Sequence, residues 1–232
     1  MIGAMGAIGY WVRRERRRHW VGIVVLAVLA GLGLGLTSVA LTGARRADTA
    51  FDRLQAVTLA PDVGTGIDEG TPEEIIATVA ADPAVATLTR WGVAAVRPDS
   101  MQEAAAFIGL DDAFLDEIYR PLIVEGRRAR PGTDEVMVNE TMADLGDIEV
   151  GDELDLVAGF EDAVPLGPAT VVGIARSPFD FGPAAGGAYL LLDSSFYAAH
   201  QDTVPLLMVQ VMARLTDGTD GHDDFNAAAS AA

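Results

Sequence analysis

Residues 20–44 read WVGIVVLAVLAGLGLGLTSVALTGA, a run of 25 residues without a charge. Twelve of them are Val, Leu or Ile. On the insertion scale these supply roughly −4 to −7 kcal/mol before the discount for Gly, Ser and Thr. A hydrocarbon core is crossed by about 20 helical residues, so the run is long enough to span with some tilt. Arg13, Arg14, Arg16, Arg17 and Arg18 stand just before it, and only Arg45 and Arg46 just after. The positive-inside rule then puts residues 1–19 in the cytoplasm and everything after Ala44 outside. Trp11 and Trp20 suit the interface. A secretory signal peptide is the rival reading, with Ser38-Val39-Ala40 as small residues near a cleavage site. Its apolar region would run only about 7–15 residues. Both readings export residues 45–232. Ala27, Gly31 and Gly35 fall at i, i+4 and i+8, and such a stripe of small residues lets a second helix approach closely in lipid. Chance in a Gly/Ala-rich run is the alternative. Residues 1–12 are apolar but too short to span. They read either as an interfacial helix or as a misplaced start codon.

Composition removes much chemistry. The 232 residues include no Cys and no Lys, and all 16 basic residues are Arg. That excludes a thiol nucleophile, a thiolate metal site, a disulfide framework, a Schiff-base lysine and a standard Walker A loop. The charge is divided. Residues 1–44 carry five Arg and one Glu, whereas residues 45–232 carry 11 Arg and 33 acids, a net −22. A domain so acidic is repelled by phosphate, which excludes nucleic acid as a partner.

The exported part alternates short elements. Residues 45–58 keep apolar positions at helical spacing and predict a stalk that runs on to Pro61. Thr71-Pro72-Glu73-Glu74 predicts a helix start, with Thr71 as N-cap, Pro72 at N1 and Glu74 at N3. Ile75, Ile76, Val79 and Ala80 are its expected buried face. Expected strands are Val85–Val96, Ala104–Leu110, Leu122–Val124, Glu135–Val138, Glu153–Val157, Ala169–Ala175, Ala188–Leu192 and Leu206–Leu215. Expected helices are Asp112–Tyr119, Glu140–Leu145 with an Asn139 cap and a Gly146 stop, and Ser194–His200 with an Asp193 cap. Strands outnumber helices and do not alternate with them one for one, which predicts an α+β domain. The expected organisation is a cytoplasmic segment at 1–19, a transmembrane helix at 20–44, a stalk at 45–60 and an α+β domain at 61–222. Residues 223–232 read as the start of a truncated helix, too short to stand alone.

No constellation selects a reaction. His19, His200 and His222 are scattered without metal spacing and read as surface or interfacial. There is no G-x-S-x-G elbow. The acids Asp217, Asp220, Asp223 and Asp224 lack calcium-loop spacing and read as a solvated turn. Asp111, Asp112, Asp116 and Glu117 suit a helix start. Asn139-Glu140-Thr141 matches a glycosylation sequon, but Asn139 is already explained as a cap. Residues 181–187 are Gly-rich without the strand–loop–helix context of a phosphate cradle, and read as a flexible contact loop. No catalytic residue, cofactor or metal is expected.

The Arg-rich start, the Gly/Ala-rich helix and its exit Thr42–Phe51 together resemble the first helix of FtsX-like/MacB-like ABC transporter permeases. Ile123-Val124-Glu125-Gly126-Arg127, Asp134–Glu140 and Val150-Gly151-Asp152-Glu153-Leu154 resemble that family's extracytoplasmic core domain. The matched residues are Gly126, Arg127, Glu135, Asn139, Gly151 and Asp152. Gly126 and Gly151 are expected where turns enter strands, and Asn139 where a strand ends and a helix is capped. The resemblance implies a membrane subunit that works with a separate cytoplasmic ABC ATPase. Its further contacts would be other permease helices or a second permease copy, and membrane lipid. It implies no catalytic residue. Family permeases have at least four membrane helices and this chain shows one, so the expectation is an N-terminal portion of a permease. The alternatives are a single-pass binding or sensor protein, and an exported hydrolase using the acidic clusters.

Overall fold

The computed structural model describes residues 20, 22, 24–35, 37, 50, 52–67, 73–160, 162–181 and 186–221. The expectations for residues 1–19, the Thr71 cap, most of the Gly-rich loop and the terminal helix lie outside the described residues. The chain divides into two compact units, Met1–Asp52 and Arg53–Ala232.

In the second unit the order is β1 (Val63–Ile67), α1 (Glu73–Ala80), β2 (Val85–Ala94), β3 (Val96–Pro98), β4 (Ala105–Gly109), β5 (Leu122–Gly126), β6 (Glu135–Asn139) and α2 (Glu140–Gly146). Then come β7 (Glu153–Ala158), β8 (Val164–Arg176), a 3-10 turn at Pro178–Phe181, β9 (Tyr189–Leu192), α3 (Ser194–His200) and β10 (Leu206–Leu215). The strands form one mixed sheet in the order β1-β10-β2-β4-β9-β6-β8-β7-β3, with β5 paired to β8. This is an α+β domain.

Only Ala95 separates β2 from β3, yet they lie at different places along the sheet. The sheet therefore closes on itself through one continuous stretch of chain, and β1 and β10 extend from the ring. Alternation along each strand divides the apolar residues between two clusters. Val136 and Val138 of β6, Ile108 of β4 and Leu190 and Leu192 of β9 go to one cluster. It also takes Ala94, Val96, Leu156 and Val171, and α2 adds Met142 and Ala143. The intervening Met137, Phe107, Tyr189 and Leu191 go to the other, with Trp91, Phe114 and Leu115.

Several expectations need correction. Residues 112–119 are not a helix. Leu115 and Tyr119 have φ of 65° and 55°, and the segment is a series of tight turns. Phe114, Leu115 and Ile118 are all buried. Positions i, i+1 and i+4 would share one helical face, yet these three are buried from a run of turns, so packing overrides local spacing. On α1 only Ile76 is buried, while Ile75 and Ala80 are exposed. Helix α2 stops at Asp147 in the left-handed conformation, one residue beyond the expected Gly146. Gly126 ends β5 and so leaves a strand, whereas Gly151 precedes β7 as expected.

Candidate functional site

The six motif residues gather around β8, a strand that pairs with β5, β6 and β7. Gly126 lies opposite Gly173 in the register. A Cβ on Gly126 would meet the Val172 carbonyl oxygen at 2.3 Å, and one on Gly173 would meet the Arg127 carbonyl oxygen at 2.2 Å. Gly126 also has φ 77°, which favours glycine. The close approach lets the Arg127 N–H donate to the Val172 carbonyl at 2.8 Å. Gly151 has φ 108° and donates its N–H to the Val171 carbonyl at 2.7 Å. Asp152 closes the same turn, its Oδ2 accepting from the Glu149 N–H at 2.8 Å.

Arg127 reaches over β6 to Glu135 in a fork of two bonds, Nη1 to Oε2 at 2.6 Å and Nη2 to Oε1 at 2.5 Å. The Arg130 N–H adds a third at 3.0 Å. The Arg127 hydrogen bond, helped by the Arg130 N–H, lowers the Glu135 carboxyl to about 2. A lowered carboxyl contributes stability that is present above its unfolded value, about 4.3, and is lost as pH falls through about 2. Glu135→Gln is therefore expected to flatten the acid limb of the stability profile between those values and leave the profile above pH 6 unchanged. Denaturant titrations at a series of pH values check this, and equal slopes in the two proteins would refute it.

Asn139 makes four side-chain hydrogen bonds. It is fully buried at the end of β6. Its Oδ1 accepts from the Met142 N–H at 3.0 Å, capping α2, and from the Tyr189 N–H at 3.1 Å. Its Nδ2 donates to Asp180 Oδ1 at 3.1 Å and to the Gly187 carbonyl at 2.9 Å. The sequon is thus closed to modification. Asp180 Oδ1 also accepts from the Tyr189 hydroxyl at 2.7 Å, and its Oδ2 from the Ser177 N–H at 2.8 Å. Burial pushes the Tyr189 phenol well above its ordinary value. The same cause raises Tyr119 to about 12. At physiological pH both remain neutral donors. The network ties strand ends and the 3-10 turn together.

Arg97 is a second buried polar group, 1% exposed on β3. Its partners are carbonyls at long range: Pro98 at 3.2 Å, Asp99 at 3.4 Å and Phe160 at 3.5 Å. Among the described residues its Nε has no partner and no carboxylate pairs with it. A buried guanidinium so placed recovers little of its desolvation cost. Arg97→Met keeps the volume and is expected to be neutral or stabilising by about 1 kcal/mol or more in denaturant unfolding. A loss beyond about 1 kcal/mol would mean that the carbonyl contacts outweigh desolvation.

Among the described residues of the first unit, 24–35 are helical and all exposed. Leu26 is 69% and Leu34 71% exposed. Gly31 and Gly35 have nothing within 4 Å of where a Cβ would stand. No described helix is long and apolar enough to cross a membrane. The expected span of 20–44 extends over residues outside those described. His200 bonds through Nδ1 to the Phe196 carbonyl at 3.0 Å and stacks on the Phe196 ring. Among the described residues no group of three or more His, Asp or Glu is placed to hold a metal ion.

The sequence singles out the six motif residues but not the residues they meet. Gly173, Asp180 and Tyr189 are distant in sequence from the residues they meet. The only signal for Gly173 was a glycine inside a strand pattern.

Among curated proteins none matches the chain. Two solved structures illustrate the neighbourhood. The extracellular domain of the noncanonic ABC-type transporter YknZ from Gram-positive bacteria is 15% identical, over 66% of this chain and 75% of that one, with a TM-score of 0.40. The periplasmic region of MacB from Actinobacillus actinomycetemcomitans is 10% identical, over 64% and 68%, with a TM-score of 0.40. At such values the assignment rests on the sequence match alone. The model of the MacB-like periplasmic core domain matches residues 20–228, which take in the apolar helix and every motif residue around β8. The chain belongs to the family of the MacB-like periplasmic core domain.

Proposed function

We propose that the chain is a membrane permease subunit, or the N-terminal portion of one, of an FtsX/MacB-like ABC transporter. It couples the motion of a cytoplasmic ABC ATPase to a domain outside the cell membrane. The family match over residues 20–228 carries this reading. Exposed apolar residues all round the helix at 24–35 support its burial in lipid. The Ala27, Gly31 and Gly35 stripe would receive another permease helix or a second permease copy. These 232 residues hold no Lys to complete a phosphate loop, which fits a permease that draws on an ATPase outside them.

The absence of Cys makes every introduced thiol a clean reporter. Leu145 is 70% exposed on α2. Leu145→Cys is expected to react with a membrane-impermeant maleimide in intact cells, and Arg17→Cys only after lysis. The chain should sediment with membranes and co-purify with an ABC ATPase encoded beside it. Protection of Leu145→Cys until lysis would overturn the topology. Correct topology with no ATPase recovered would favour the second reading, a single-pass binding or sensor protein.

A further inference from the structure

Four non-glycine residues among those described have positive φ: Leu59 at 50°, Leu115 at 65°, Tyr119 at 55° and Asp147 at 51°. Asp147 is the left-handed stop of α2. The other three belong to one place, where the chain enters the sheet. Bulky side chains persist at such angles only where the surroundings enforce them.

Residues 53–57 are helical and lead toward β1. The helix ends in a left-handed turn. The Thr58 N–H donates to the Leu54 carbonyl at 2.8 Å, and the Ala60 N–H reaches back to the Gln55 carbonyl at 2.9 Å. Glycine is the usual residue at the left-handed position of such a stop. Here it is Leu59, whose Cβ crowds the following carbonyl. Pro61 disfavours the helical region at Ala60. The helix therefore has one competing form, in which Leu59 turns right-handed and adds a single residue before the stop.

The left-handed form is held by a bond from elsewhere in the chain. The Tyr119 N–H donates to the Leu59 carbonyl at 3.2 Å. Tyr119 presents that N–H from a left-handed turn of its own, braced by the Leu115 N–H donating to the Ile118 carbonyl at 2.9 Å. Its ring centroid lies 4.2 Å from that of Phe179 and 6.1 Å from that of Trp91. Its hydroxyl donates to Met212 Sδ at 3.8 Å on β10. Met212 in turn fills the space over Gly64 of β1, where a Cβ would stand 2.4 Å from Sδ. The ring is thus fixed by the sheet and the 3-10 turn, and the backbone of the same residue fixes Leu59. Turning Leu59 breaks the Tyr119 bond, swings the helix about this point and brings the fully buried Thr58 out.

We propose that the Leu59–Tyr119 contact is a releasable latch, which gives the 53–57 helix two directions of exit from the domain. Left-handed strain at Leu59 opposes the two hydrogen bonds of the latch, so the two settings lie close in free energy. A glycine at position 59 would fix the latched setting, whereas leucine leaves the joint poised. The proposal rests on the joint's own geometry and holds for a permease and for a single-pass binding protein alike.

The test uses the full chain, one per lipid nanodisc, with spin labels on Arg53→Cys in the helix and Leu145→Cys on α2. Both sites are exposed, and the chain has no thiol of its own. Double electron–electron resonance measures the separation of the labels. Two separations are expected in this background. Leu59→Ala keeps the left-handed cost and should keep both. Leu59→Gly differs from it only by the missing Cβ and should lower the ratio of released to latched chains roughly tenfold. The pair also separates the backbone effect from loss of the Leu59 side chain, which both variants share. One and the same separation in all three proteins would overturn the proposal. So would two separations in equal ratio in the alanine and glycine variants, which would place the motion at another residue.

Discussion

Gly173→Ala is expected to destabilise the domain by about 3–5 kcal/mol, enough to remove most of the margin of an ordinary fold. The new Cβ would stand 2.2 Å from the Arg127 carbonyl oxygen. That neighbour is backbone held in the β5–β8 ladder, so it has no rotamer by which to move away. Relief requires separating the strands, which also breaks the Arg127 N–H bond to Val172. Gly126→Ala should cost as much, through a 2.3 Å approach and a φ of 77°. Gly151→Ala supplies the contrast. Its Cβ would meet nothing within 4 Å, so only the conformational cost at φ 108° remains, about 1–3 kcal/mol. Urea unfolding followed through Trp91 emission ranks the three. Near-wild-type stability in Gly173→Ala would show that the ladder yields more easily than close packing allows.

Asn139→Ala is expected to cost about 3–5 kcal/mol by a different route. No clash arises. The change removes four bonds and leaves the buried N–H groups of Met142 and Tyr189 without partners, while the exposed Gly187 carbonyl turns to solvent. Each buried unpaired group costs about 1–3 kcal/mol, and water reaching the site would recover part of it. Asn139→Asp separates the two halves of the role. It keeps the acceptor for the α2 cap but loses both donated bonds and sets a second carboxylate against Asp180. Its stability should therefore be regained in part as pH falls below about 5, whereas Asn139→Ala gains nothing there. Parallel denaturation curves at pH 7 and pH 4.5 provide the comparison.

Elements governed by local chemistry were legible in the sequence. Strand β10 occupies Leu206–Leu215 as its alternation predicts, with Val211, Ala213 and Leu215 buried. Helix α3 occupies Ser194–His200, its Asp193 side chain accepting from the Phe196 N–H. The first half of β8 was hidden because Pro165, Gly167 and Pro168 interrupt its pattern. Such residues survive in a strand next to a bulge, and the register with β7 shifts between Leu156 and Val157, opposite Gly167 and Pro165. Strand β1, with glycine at two of its five positions, carried too little apolar signal to be seen. Residues 112–119 failed for the opposite reason. Their spacing suited a helix, but Phe114 and Leu115 answer to Trp91 and its aromatic neighbours. Gly151 was legible as a turn before a strand, but the constraint on Gly126 was not, because it comes from Gly173, a pairing across a long stretch of chain.

Val63 at the start of β1 is partnered with Ala213 near the end of β10, and Asp62 secures the junction by accepting the Leu215 N–H at 2.8 Å. The chain thus arrives and departs on adjacent antiparallel strands at the same end of the sheet. Two tethers drawn along a common direction would carry the closed ring as one lever. Two tethers drawn apart would peel the β1–β10 rungs one after another, at far lower force than shearing them together. A pull that separates the two ends therefore opens the domain first at that seam.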